Sequence, residues 1–438
     1  MDRQRPDTTG NDVLLYLRSI YSLLRSSGEV RVRSLEEAHL FSDSSLHLGA
    51  RSPEPDLGAF GYAAARLPPS MPDNERVVLG QSRELFAQHG VDLEDARSVK
   101  SKGRRRRMLE KNGVLAMFIA SESDIDDVVP ILAAYQIEWN KMHELLRDAA
   151  IDLSDDAAVA QALGVEDDAI THLRNGLGAD LDPLLAAIQA RSSDLRLILL
   201  AGSFSLYQRA AQRWWGAIEP IYAPKAQVSR RPVYFVSSNT HAFPNLFGGY
   251  ALRHREEVVA AARENNPGGV WPDLERALAE NSSDLPNLLH FCVRNYLGRD
   301  PQRRAAVQAW DANCGLRTVL DPGHVEVSAQ VIELSRLDPD CLDPRIKVPG
   351  VERLVDSDAV VINIDYPLGM AAYHLLSRLG QGVGELRGVY VMGKAATLNG
   401  RVGDVMISKV VQDEHSLNSY MLRNASEAEV GRDITGFE

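Results

Sequence analysis

The sequence predicts an α/β protein in two parts, a mostly helical N-terminal region over residues 1–225 and a sheet domain over residues 226–438. Three observations predict it. Apolar residues recur at helical spacing through the first half, and short apolar runs rich in β-branched residues fill the second. Those runs then alternate with helical patterns, as the strands of an α/β domain do. The change falls near residue 225, in the segment IYAPKAQVSRRP.

Residues 12–26 place Val13, Leu14, Leu17, Ile20, Tyr21 and Leu24 on one helical face, and Gly28 ends the pattern. Residues 47–70 are rich in Gly and Pro and predict an ordered loop or linker. From Ser121 the polar start SESDIDD offers cap residues to a long helix. That helix carries Val129, Leu132, Tyr135, Gln136, Trp139 and Met142 down one side. Short helices follow, one capped by Ser154, with breaks at Gly164 and at Gly176–Gly178. In the second half the runs VYFVSS (233–238), AVVINI (359–364), GVYVMG (388–393) and DVMISKVV (404–411) predict strands buried on both faces.

Composition narrows the function classes. The 48 Lys and Arg against 60 Asp and Glu leave a net charge of −12, which repels phosphate backbones and anionic lipid, so nucleic acid and membrane are not expected partners. Cys292, Cys314 and Cys341 form neither a disulfide framework nor a CxxC zinc pattern, as expected of a reducing compartment, the cytoplasm. No run approaches the ~18 apolar residues of a membrane span, and MDRQRPDTTG has no apolar core of a secretion signal.

The densest chemistry lies at 358–412. The strand AVVINI runs into Asp365-Tyr366-Pro367-Leu368-Gly369, the helix MAAYHLLSRLG follows, and the strand GVYVMG then runs into Lys394-Ala395-Ala396-Thr397-Leu398-Asn399-Gly400. Small residues at strand ends let backbone N–H groups approach an anion, or simply allow tight turns. A second constellation is Ser237-Ser238-Asn239-Thr240-His241, directly after VYFV. Five polar residues leaving a buried strand each need a partner. They suit an anion or sugar hydroxyl, with His241 as donor, or else a turn that caps the next helix; ligand binding is the favoured expectation.

The run GKAATLNGRVGDVMIS resembles the core of the purine/uridine phosphorylase and nucleosidase superfamily. Gly393, Ala395, Leu398, Gly403, Asp404 and Val405 match that family's small-residue loop and Gly-Asp strand in order and spacing. Lys394, Ala396 and Thr397 depart from it, standing where the family has a hydroxyl residue and two glycines. The segments VYFVSSNTHAFPNLFGGYAL, NIDYPLGMAAY and VYVMGKAATLNG are also similar to a narrower bacterial family with no assigned activity.

The resemblance implies a nucleoside-phosphorylase-like α/β/α sheet that cleaves or binds the N-glycosidic bond of a nucleoside or nucleotide. It implies no cofactor, inorganic phosphate as a co-substrate, and a homo-oligomer. His415 and Asp413 become the implied catalytic pair, since Val410–His415 resembles the family's strand and Asp-His turn. Lys394, Ala395, Thr397 and Asn399 become the implied phosphate or sugar loop, with Asp365, Ser238, Asn239 and His241 beside it. The family's following strand with a Met-Glu ribose clamp, and its acid-bearing helix, are not found before Glu438, implying an incomplete or rearranged core. A non-catalytic nucleotide-binding sensor or scaffold is the competing expectation.

Other features carry blander expectations. The run KSKGRRRRMLEK, with Arg104–Arg107, predicts a solvated helix start or a subunit contact rather than an RNA site. Arg253, His254 and Arg255 predict mainly a solvated helical face, and Asp321-Pro322-Gly323-His324 a turn. Asp124, Asp126 and Asp127 suit a helix N-terminus. His143-Glu144 lacks a second His at zinc-site spacing.

Overall fold

Val77, Val78 and Leu79 make an apolar run with no exposed face, and in the computed structural model they form a central strand of a sheet. The structure describes residues 21–24, 28–41, 46–103, 106–200, 204–222, 231–298, 300–320, 325, 327–366, 369–393, 407–412 and 418–421. The chain divides into two units. One comprises residues 1–119, 124–202 and 395–438, the other 120–123 and 203–394.

The first unit runs β1 (Glu29–Arg31), α1 (Arg33–Phe41), α2 (Leu57–Ala64), β2 (Arg76–Gly80), α3 (Arg83–Gln88), β3 (Arg97–Val99), β4 (Met108–Lys111) and β5 (Val114–Phe118). It continues through α4 (Glu122–Leu146), α5 (Asp156–Leu163), α6 (Asp167–Leu177), α7 (Leu181–Ala190) and β6 (Arg196–Leu199). Its six strands form one mixed sheet, ordered β1-β6-β2-β5-β4-β3. β2 is parallel to β5 and β6, and the other pairings are antiparallel. An expectation of a mostly helical region therefore omits a sheet.

Helix α4 supplies much of this unit's core through Val129, Leu132, Tyr135, Trp139 and Met142, packed among residues such as Phe60 and Leu115. Fully burying a side chain of the Leu or Phe type contributes about 1.5–3 kcal/mol. A second difference lies at 47–70, where a loop was expected and α2 forms. Asp56 caps it by accepting from Ala59 N at 2.9 Å, and Leu57, Ala59, Phe60 and Ala63 are buried. Cap and burial outweigh the cost of Gly58 and Gly61 inside the helix. The β4–β5 turn is Asn112-Gly113, with φ of 51° and 74°, the positive pair that a two-residue hairpin favours.

The second unit starts with α8 (Phe204–Tyr222) and β7 (Pro232–Ser238). Helices α9 (Tyr250–Arg253), α10 (Arg255–Asn265), α11 (Trp271–Glu280), α12 (Leu285–Leu297) and α13 (Pro301–Asn313) follow, built largely around their own apolar cluster. Then come β8 (Leu316–Val319), β9 (Ala329–Glu333), β10 (Val360–Asp365), α14 (Gly369–Gly382) and β11 (Glu385–Val391). The sheet order is β11-β7-β10-β9-β8, with β7 parallel to both β10 and β11 and the remaining pairs antiparallel.

Trp214, Trp215 and Ile218 of α8 join Leu375 and Leu379 of α14 in a cluster with Val233, Phe235, Val360, Ile362 and Ile364. Helix α8, which precedes the change in composition near residue 225, thus packs on the second unit's sheet. Strands β7 and β10 and helix α14 fall where the apolar runs and the helical pattern of 370–380 predict them. Strand β11 forms at its predicted place but is not buried on both faces: it is the edge strand, and Leu386, Val389, Tyr390 and Val391 are exposed. The strand expected over 404–411 differs. Residues 404–406 lie outside the described residues, and among the described residues β12 (Val410–Gln412) pairs with β13 (Ser419–Met421) in a separate two-stranded sheet. The architecture is mixed α/β.

Candidate functional site

Strands β7, β10 and β11 end side by side. Their parallel registers set Asp365 opposite Ser238 and Val391 opposite Ser237, and Met392 N donates to Ser237 O at 2.8 Å. One edge of the sheet therefore gathers Ser238–His241, Asp365-Tyr366 and Met392-Gly393. The carboxyl edge of parallel strands is where open α/β sheets place ligands, because the strand ends diverge there into loops.

Beneath this edge lies a buried polar chain. Ser238 Oγ is 2.8 Å from Asn363 Oδ1 and 3.2 Å from the Asn239 carbonyl. Asn363 Nδ2 donates to Gln330 Oε1 at 2.8 Å and to Asn239 O at 3.2 Å. Gln330 Nε2 in turn donates to Thr240 O at 3.0 Å. Asn239 Oδ1 accepts from His241 N at 2.8 Å and Ala242 N at 2.7 Å, so it caps the turn that leaves β7. Ser238 and Asn239 are thus spent first on holding the edge in shape, as the turn alternative requires.

His241 and Asp365 are half-buried at the same edge. The Asp365 carboxylate accepts from Tyr366 N at 3.2 Å. The His241 ring meets His290 edge to face, centroids 6.2 Å apart. Burial, with a smaller push from His241, lowers the His290 pKa to about 4, so His290 is a neutral neighbour at physiological pH. Such an edge offers an imidazole, a carboxylate and backbone groups, which together suit hydroxyls and a base more than a dense anionic charge.

Lys394, Ala395, Thr397 and Asn399 lie outside the described residues, as do Asp413 and His415. Pro367, Leu368, Arg104, Arg105 and Asp321–His324 do so as well. At Arg106 and Arg107, the described arginines of the basic run, the structure differs from the solvated helix start that was one of the two expectations. Arg106 is buried, its Nη2 2.9 Å from Asp124 Oδ1 and 3.1 Å from Asp127 Oδ2, while Arg107 lies 4.5 Å over the Phe118 ring. Two of the acids expected at a helix start are thereby ion-pair partners. Arg253 and Arg255 are exposed, and His254 stacks on Tyr250 at 4.2 Å. His143 Nδ1 lies 2.7 Å from the Ile188 carbonyl. Among the described residues no three His, Cys, Asp or Glu side chains gather in a way that could hold a metal, and no helix is long and apolar enough to cross a membrane.

Sequence reasoning missed one titratable cluster in the first unit. His39 Nε2 is 2.9 Å from His47 Nδ1, and His47 Nε2 is 2.7 Å from Glu138 Oε1. Glu138 also accepts from Asp56 N and Lys141 Nζ, each at 2.6 Å. All three members are buried. Burial first, then the neighbouring His47, holds the His39 pKa down to about 4. Separations of 8 and 91 residues carry no local motif.

No curated protein and no solved structure matches the chain. A sequence profile does match, across residues 32–435 and hence nearly the whole chain. The protein belongs to the family of unknown function DUF6909.

Proposed function

We propose that the protein binds a small metabolite of nucleoside or nucleotide type at the carboxyl edge of β7, β10 and β11. The observation that carries this is the convergence of three parallel strand ends, bringing Asp365 and the Ser238–His241 turn beside Gly393. Gly393 opens the Lys394–Asn399 segment, whose resemblance to nucleoside phosphorylases supports the ligand class. In that reading Lys394 offsets ligand charge, while Ala395 N–H, Thr397 and Asn399 hold a phosphate or sugar. His241 and Asp365 take ribose hydroxyls. The resemblance adds His415 as donor to phosphate or ribose, with Asp413 as the second catalytic candidate. If turnover occurs, a phosphate or water oxygen attacks the anomeric carbon, the C–N bond breaks and the base leaves with a proton.

A second reading, binding without turnover, is favoured by the internal engagement of Ser238, Asn239 and Asn363. Release of free base from a panel of nucleosides and nucleotides, with and without phosphate, separates the two. Phosphate-dependent release identifies a phosphorylase, and phosphate-independent release a hydrolase. Binding without release identifies a sensor, and absence of both binding and release contradicts the proposal.

A further inference from the structure

The first unit contains a cavity of about 240 Å³ between the segment 71–75 that leads into β2, the side of α4 and the segment 191–196 that leads into β6. A single ordered water needs only ~10–15 Å³, so this space has room for a small organic molecule. A smaller cavity of about 30 Å³ adjoins it, and Met71, Pro72 and Tyr135 line both. The site lies in a different unit from the sheet edge and does not depend on the nucleoside reading.

Tyr135 is the unexplained group. Its ring stacks on Phe60 at 5.4 Å and meets Trp139 at 5.5 Å, yet its hydroxyl is buried and has no hydrogen-bond partner among the described residues. A desolvated hydroxyl without a partner is costly and uncommon in native structures. Burial raises its pKa and the Arg191 charge pulls only partly back, so the phenol stays neutral and keeps a proton to donate.

The charges around the cavity sort into pairs and remainders. Asp194 is paired with Arg31 at 3.5 Å and Arg196 with Glu29 at 3.1 Å. Trp139 Nε1 is spent on the Arg191 carbonyl at 2.8 Å, and Asn74 Nδ2 on the Ser70 carbonyl at 2.9 Å. Two side chains of opposite formal charge remain without an ion pair among the described residues. Among the described residues, the Arg191 guanidinium bonds through Nη2 to the Pro72 carbonyl, and Glu75 lines the same cavity with no ion pair. Ser192 and Ser193, next to Arg191 in sequence, line the same cavity.

We infer that this cavity is a binding site for a small zwitterion of the α-amino acid class. Its carboxylate is held by Arg191 with Ser192 and Ser193, its ammonium by Glu75, and its side chain is directed toward the Tyr135 hydroxyl. An uncompensated cation and anion lining one small space match the two ends of such a molecule, and a guanidinium pairs with a carboxylate through two parallel hydrogen bonds.

The test is titration calorimetry of the full chain with each proteinogenic L-amino acid in turn, with the matching 2-hydroxy acid as the arm lacking the ammonium. At least one amino acid is expected to bind saturably, and its hydroxy acid more weakly. Arg191→Ala and Glu75→Gln alter exposed side chains and are expected to leave the melting temperature near that of the wild type. Each should weaken binding about tenfold or more, the scale of a lost charge-assisted hydrogen bond. Tyr135→Phe, which removes one buried oxygen, should alter the ranking among amino acids. Failure of every amino acid to bind at millimolar concentration overturns the inference. Binding that survives both Arg191→Ala and Glu75→Gln unchanged overturns it equally.

Discussion

Ser238 at the end of β7 and Asn363 on β10 are joined by a buried hydrogen bond of 2.8 Å between the serine hydroxyl and the asparagine side-chain oxygen. The bond is one link in a chain that passes through Gln330 and reaches the Thr240 carbonyl. Its role is to set the strand ends that form the proposed site, rather than to touch a ligand.

Asn363→Ala removes the middle of that chain, orphans the Gln330 side-chain oxygen and leaves the Ser238 hydroxyl only its longer bond to the Asn239 carbonyl. An orphaned buried group costs about 1–3 kcal/mol, so the variant should lose about that much by chemical denaturation. Asp365→Ala, at a half-buried carboxylate, should lose much less. Equal losses would place Asn363 outside any cooperative network.

Gly249 has φ of 60°, and a Cβ there would lie 2.2 Å from the Cys341 carbonyl oxygen. Gly164 has φ of 67° with nothing within 4 Å. Gly164→Ala should therefore show only the ~1–2 kcal/mol cost of left-handed backbone. Gly249→Ala should cost clearly more, because backbone must also move. Thermal melts of the two variants make the comparison.

The second unit's site was partly legible. β7, β10 and β11 advertise themselves as apolar runs, and the polar residues that follow mark their carboxyl ends. The Ser238–Asn363–Gln330 chain was not legible, since it depends on which strands are neighbours. The first unit's sheet was hidden for a different reason. Strands such as Glu29–Arg31, Arg97–Val99 and Arg196–Leu199 are too short to show a period of two, and they carry arginine and glutamate at positions where an apolar run would have signalled a strand. Arg106 looked solvated because its partners Asp124 and Asp127 lie on α4, beyond an intervening hairpin.

The buried histidines set a pH dependence. With folded pKa values of about 4 against ~6.5 unfolded, His39 and His290 bind fewer protons in the native state between those limits. Their contribution is fully present above pH ~6.5 and is lost as pH falls toward 4. Melting temperatures followed across this window should decline on acidification, and less steeply in His39→Gln.

Asp311 contributes with the opposite sign. Burial raises its pKa to about 7, and its Oδ1 has no hydrogen-bond partner among the described residues. The native state then binds more protons than the unfolded chain between pH ~4 and 7, so this group lowers stability as pH rises through that range. Asp311→Asn should be more stable than the wild type near pH ~8, and the gain should vanish near pH ~4. A gain independent of pH would rule out titration of Asp311 as its source.

The proposed site is tested most directly by calorimetric titration of the full chain with adenosine, inosine, uridine and their 5′-monophosphates. Wild type should bind at least one saturably. Asp365→Asn and Lys394→Ala should each bind it about tenfold more weakly, with circular dichroism and melting temperature unchanged. Absence of binding by the folded wild type, or binding that both variants retain in full, would contradict a ligand site at the carboxyl edge of β7, β10 and β11.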